Sequence, residues 1–228
     1  MVRSTILHRS PLLKVALLIA LGPSALDGSE GRNSAAVHIR TGHQLLEVVG
    51  EVDNLAATPD APLGSSRQFG YVSMLDGVED IFTDPNPATQ NETTAKLTFF
   101  TNVKTIRVTP HGPFTIVVRE GTTIFYRNSV PASFASPDSF QSGEPVVSST
   151  IRQQVIVDTV ERTFTVVNVN TIMSTRTFDL GGAIVRIGVR GDMIRTSLVG
   201  VLRVRDGAPP PTGHFAGSAV GIRRHDDD

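Results

Sequence analysis

From Gln44 to Ile222 short apolar runs alternate with polar positions, and glycine, proline or aspartate interrupts them at short intervals. The runs are rich in Thr, Val, Ile and Phe, residues that fit a pleated, half-buried surface. They are QLLEVVGEV (44–52), RQFGYVSML (67–75), TAKLTFFT (94–101), KTIRVT (104–109), FTIVVRE (114–120), TTIFYRN (122–128), SSTIRQQVIVD (148–158), TFTVVNVNTIM (163–173), GAIVRIGVR (182–190), MIRTSLVGVLRVR (193–205) and HFAGSAVGI (214–222). PHGP (110–113), Gly121 and Gly191-Asp192 read as breakers between neighbouring runs. Such short spacings favour antiparallel hairpins over parallel strand–helix–strand units. No run keeps a long helical period between caps. The nearest to a helix is 193–205, where Val199, Val201 and Val204 turn the reading to strand.

The pattern predicts an all-β chain: an antiparallel up-and-down β-barrel, with a two-sheet β-sandwich as the alternative, and little or no helix outside the N-terminal leader. Long later strands joined by tight turns suit a meander. Gly213, Gly217 and Gly221 in the last run suit the bending that closure demands. Two stretches depart from the pattern. Residues 76–93 are acidic and rich in turn formers, and residues 129–145 hold three prolines and two phenylalanines. Each reads as a solvated connection, with a functional lid or rim as the alternative.

The N-terminus resembles an export signal of bacterial type. Arg3, Arg9 and Lys14 give a basic leader, VALLIAL (15–21) a short apolar core, and GPSA the small residues that follow. The apolar run is far shorter than the ~20 residues of a membrane-spanning helix. The expected organisation is a signal peptide (1–25), a flexible lead-in (26–43), a single β-barrel-like domain (44–222) and a charged C-terminal tail (223–228). The expected destination is the periplasm or the exterior.

Composition narrows the chemistry. The chain has 228 residues, 39% of them hydrophobic, which supports a real core. A net charge of −1 argues against nucleic-acid binding through bulk positive charge. Without cysteine there are no disulfides, thiolate nucleophiles, zinc–thiolate sites or iron–sulfur clusters. Neither G-x-G-x-x-G nor G-x-x-x-x-G-K-[ST] occurs, and no cofactor is expected. With no tryptophan, and only Tyr71 and Tyr126 as tyrosines, the chain lacks the aromatic girdles of a membrane-embedded barrel.

Few side chains offer chemistry at a motif spacing. His38 and His43 sit in the lead-in, His111 in the PHGP turn and His214 at the start of the last run, none beside a serine or carboxylate in a catalytic pattern. Asp76, Glu79, Asp80 and Asp84 fall within nine residues and are weak candidates for a hard metal such as calcium. A solvated acidic loop explains them without a metal, and no metal is expected. The tail HDDD (225–228) reads as a soluble end. Acids dominate residues 44–90, whereas eight arginines occur in 151–205, an asymmetry that suits steering of an anion or simple surface pairing. Arg190-Gly191-Asp192 resembles the integrin-recognition motif of adhesion proteins, and a hairpin turn accounts for the same residues. Asn91-Glu92-Thr93 fits a glycosylation sequon.

The informative stretch is IRQQVIVDTVERTFTVVNVN (151–170). With TVER as the connection, Asp158 faces Thr163, Val157 faces Phe164, Val155 faces Val166, Gln153 faces Asn168, and Ile151 faces Asn170. Side chains alternate along a strand, so these pairs share faces. Gln153, Asn168 and Asn170 therefore stand among apolar residues. A buried amide without a partner costs about 1–3 kcal/mol. Either Gln153 and Asn168 satisfy one another, or all three line a ligand cavity as its few polar groups. The expected function is an exported, non-catalytic barrel binding a small apolar molecule through Gln153, Asn168 and Asn170. The alternatives are a barrel enzyme of isomerase or cyclase type, or an extracellular adhesion or interaction module.

Overall fold

The structure is a computed structural model that describes residues 34–37, 39–205 and 208–222. The basic leader, its expected cleavage region, His8, His38 and the HDDD tail lie outside the described residues.

Among the described residues eleven strands carry the fold: β1 (Ser34–Val37), β2 (Gln44–Leu55), β3 (Ser65–Leu75), β4 (Leu97–His111), β5 (Phe114–Arg127), β6 (Glu144–Asp158), β7 (Thr163–Thr175), β8 (Phe178–Leu180), β9 (Ala183–Ile187), β10 (Met193–Arg205) and β11 (Ala208–Ile222). Eight of them close into a barrel in the order β10-β11-β2-β3-β4-β5-β6-β7, with β7 pairing back onto β10. All the barrel pairings are antiparallel. The chain is thus the closed barrel that the alternation predicts, not the sandwich. Two short 3-10 turns, Pro87–Thr89 and Pro137–Gln141, are the only helical pieces among the described residues.

The period-2 pattern sets which side chains point inward. Along β7 the burial alternates from Phe164 through Val166, Asn168 and Asn170 to Ile172. The β6–β7 register is Val157 to Phe164, Val155 to Val166, Gln153 to Asn168 and Ile151 to Asn170. Glycine makes room for inward rings on adjacent strands, since Gly50 is the register partner of Phe215 and Gly200 that of Phe164. A Cβ on Gly50 would meet the Phe215 ring, and one on Gly200 would meet the Phe164 ring.

Gly121 is not a breaker. It lies inside β5, opposite Val103 of β4, where an added Cβ would run into the backbone of Asn102 and Val103. The four expected segments between 94 and 128 are therefore two long strands joined at Gly112 and Pro113. GAIVRIGVR leaves the barrel as well. Its β9 joins β1 and β8 in a separate three-stranded sheet. Phe178, Leu180, Val185 and Ile187 of that sheet are buried in one cluster with Leu45, Leu46, Leu75 and Ile172, which caps that end of the barrel.

The two irregular stretches are more than solvated connections. Ala132 and Phe140 are fully buried, and with Phe134 they pack on Phe69, Phe100 and Tyr126 of the barrel's outer wall. Thr98 Oγ1 donates to the Phe140 carbonyl at 2.8 Å and pins this cover to β4. Residues 76–93 bury Ile81 and Phe82 in the main cluster and leave Asp76, Glu79 and Asp80 in solvent.

Candidate functional site: the barrel interior

The alternation that buries Val155 and Val166 brings Gln153 and Asn168 inward beside them. Gln153 is 1% exposed. Its Nε2 donates to Asn168 Oδ1 at 3.0 Å and to Gln68 Oε1 at 3.2 Å, while Gln68 Nε2 donates back to Gln153 Oε1 at 3.0 Å. Gln68 belongs to β3, on the far side of the barrel from β6 and β7. The three amides therefore form a bridge across the lumen in which each side chain has a partner. Asn170 stands apart from it and donates from Nδ2 to Thr196 Oγ1 on β10 at 3.3 Å.

Arg119 abuts the bridge. It is the direct neighbour of Gln153 across the β5–β6 pairing and points the same way. Its Nη2 donates to Asn54 Oδ1 at 2.7 Å, and its Nη1 to Ser66 Oγ at 3.1 Å and Gln153 Oε1 at 3.5 Å. Its Nε is buried without a partner. Among the described residues no carboxylate lies within ion-pair distance of it; the ion pairs join Arg67 to Asp53 and Asp138, Arg176 to Glu144, and His214 to Glu51. Burial pushes the Arg119 guanidinium down to about 10, so it remains a cation at neutral pH.

The bridge separates two cavities of about 40 Å³ each. The one toward the capped end is walled by Leu46, Phe99, Ile172 and Ile194, and both Asn168 and Asn170 face it. The other lies toward the end where the β4–β5 and β6–β7 hairpins turn, the hairpin end. Val155, Phe164, Val166 and Leu202 wall it, and Arg119, Asn54 and Gln153 supply its polar atoms. On a scale where one water needs about 10–15 Å³, each holds roughly three waters. Both are far below the ~150 Å³ that admits benzene. An eight-stranded barrel is just wide enough to be filled by its own side chains or to take one small ligand, and this interior lies between those limits.

The other candidates are not assembled. Among the described residues no three His, Asp or Glu side chains converge on a metal-sized site. Asp84 caps its own turn, accepting from Asn86 N–H at 2.9 Å; that bond and then the Thr89 hydroxyl hold its carboxyl below the ordinary value. Asp192 turns back to accept from Val189 N–H at 2.8 Å, so the Arg190-Gly191-Asp192 turn spends its carboxylate internally. Asn91 Oδ1 accepts from Thr93 N–H and hydroxyl at 2.9 and 2.7 Å. His43 and His111 are exposed, and His214 Nδ1 lies 3.0 Å from Glu51 Oε1 on the outer wall.

Arg119, Gln68, Asn54 and Ser66 escape the sequence reading. Arg119 had a weak signal: within FTIVVRE it shares the parity of Val117, although Ile116 and Val118 make the opposite face as apolar.

Compared with known proteins, the chain matches no family model, no curated protein and no solved structure.

Proposed function

We propose that this chain is an exported, non-catalytic binding module that takes a small, slender, mainly apolar ligand into its barrel. The observation that carries the reading is the make-up of the interior. Gln68, Thr101, Thr123, Ser149, Gln153, Asn168 and Asn170 are all buried there beside two cavities. Folding alone favours an apolar, fully packed lumen, because buried polar groups only break even when every one is paired. The cavities as they stand exclude a ring and fit a methylene chain. A longer ligand threads from one to the other by parting the amide bridge, with Gln153, Asn168 and Asn170 as the polar groups along its path. The basic leader and short apolar core of residues 3–21 support export to the periplasm or exterior.

The test is calorimetry and thermal melting with unbranched alcohols of increasing length. The expected result is saturable binding that raises Tm and is lost when Ala219, which faces the capped-end cavity, becomes Phe. Absence of binding across the series refutes the reading.

A second reading has its own observation. On the outer wall Val199 and Val201 are 64% and 52% exposed, beside Val49 and Ala216 in a broad concavity. Such a patch supports an interaction module that works through its wall. Val199→Glu with Val201→Glu would then abolish association while leaving alcohol binding intact.

A further inference from the structure

Among the described residues Arg119 is the one charged side chain that lines either cavity. Arg119 is partly buried and its Nε wholly so, and drawing a cation out of water is costly unless an anion or a full set of acceptors compensates it. Here the compensation is incomplete. Three neutral oxygens, from Asn54, Ser66 and Gln153, accept from the guanidinium, its Nε has no partner, and no described carboxylate pairs with it. The outward neighbours on the same stretch of wall show the contrast. Glu120, beside Arg119 in sequence, pairs in register with Lys104 and Arg152, so charges of both signs alternate on the solvent side. Inside, the charge stands alone.

We propose that the ligand is an unbranched aliphatic carboxylate, bound with its carboxylate at Arg119 and its chain among Val155, Val166 and Leu198. This rests on the reading of the barrel as a slender-ligand binder and names the ligand's class. A carboxylate is the planar anion that a guanidinium recognises best, through charge-assisted bonds roughly twice as strong as neutral ones. Ser66 completes the cradle, since a hydroxyl carries a donor for a carboxylate oxygen once it turns. The apolar wall of the hairpin-end cavity then receives the first methylenes. The ligand supplies the negative charge that the barrel omits.

The experiment compares octanoate with 1-octanol, which match in chain and differ in head, by calorimetry on the full chain. Wild type should bind octanoate about tenfold or more tighter than octanol, and the preference should weaken as salt rises. Arg119→Met should bring octanoate down to the affinity of octanol. Arg119→Lys keeps the charge and should retain most of the preference, which also answers the case in which the Met variant does not fold. If wild type binds both equally, or octanol more tightly, the carboxylate proposal is overturned while slender-ligand binding stands. If wild type binds neither, the binding reading itself fails. If Arg119→Met keeps the full preference, Arg119 is not the anchor and the proposal is wrong.

Discussion

The two cavities on either side of the amide bridge share the same eight strands and the same inward alternation, yet they differ in how their polar groups are satisfied. Toward the capped end the bonds are local. Thr101 and Thr123 share a 2.8 Å hydrogen bond between directly paired residues, Ser149 Oγ donates to the Thr123 carbonyl at 3.2 Å, and Asn170 reaches Thr196 on the adjoining strand. Toward the hairpin end the bonds cross the lumen, from Arg119 on β5 to Asn54 on β2 and Ser66 on β3, and from Gln153 on β6 to Gln68 on β3. Neighbour-to-neighbour pairs are part of the sheet and cost little to hold. Bonds across the lumen exist only in the closed barrel and around its space. The comparison teaches that polar groups toward the capped end are held within the wall of the barrel, and those toward the hairpin end across its lumen.

The largest expected effect tests the apolar side of the hairpin end. Phe164 is buried and lies over Gly200. Phe164→Ala should destabilise by about 3–5 kcal/mol in denaturant unfolding, because the ring leaves a hole that the flanking strands cannot close. A loss below about 1 kcal/mol would mean that Phe164 faces solvent, which would break the inward register on which both cavities depend.

The next effect probes the bridge that divides the two regions. Gln153→Leu strands donors or acceptors of Gln68 and Asn168 together, and should cost roughly 1–3 kcal/mol. Asn168→Leu removes one acceptor, and Gln153 keeps its reciprocal pair with Gln68, so its cost should be smaller. On the Gln153→Leu background, Asn168→Leu should cost still less, a coupling of about 0.5–3 kcal/mol. Strict additivity of the denaturant midpoints would show that the amides act separately.

The smallest effect appears at high pH and sets the hairpin end against the outer wall. Burial pushes the Tyr71 phenol up from its ordinary 10.0, with Glu92 adding to it, and burial does the same for Tyr126. The folded state holds those protons more tightly than the unfolded state, so stability is full below pH ~10 and falls as pH rises through the raised folded values. Arg119 works in the opposite sense. The folded state gives up its proton at about 10, below the ordinary guanidinium range that the unfolded state keeps, so its contribution rises as pH climbs above that value. Melting curves of Arg119→Met should therefore fall more steeply than wild type above pH ~10. Parallel curves would show that Arg119 is not desolvated.

How much of this was legible in the chain follows from the range of each interaction. Strict alternation and the TVER connection determined the β6–β7 register, because both are local. The all-β class and the antiparallel meander followed from turn residues between β-forming runs. Gly121 misled the reading, since a glycine that ends a strand and one that lets another backbone approach look alike in sequence. Arg119 shares its parity with Val117 inside FTIVVRE, but Ile116 and Val118 make the opposite face as apolar, so the run alone does not say which face turns inward. Gln68 could not be found locally, because its partner Gln153 is 85 residues away and meets it only across a closed lumen. The removal of GAIVRIGVR to cap one end, and the folding of Phe134 and Phe140 onto the outer wall, were likewise decided by where apolar surface remained to be covered after closure. The sequence by itself determined which residues of β6 and β7 share a face. Only the tertiary structure decided which of them meet, because closing the barrel sets the distances between strands that the chain keeps far apart.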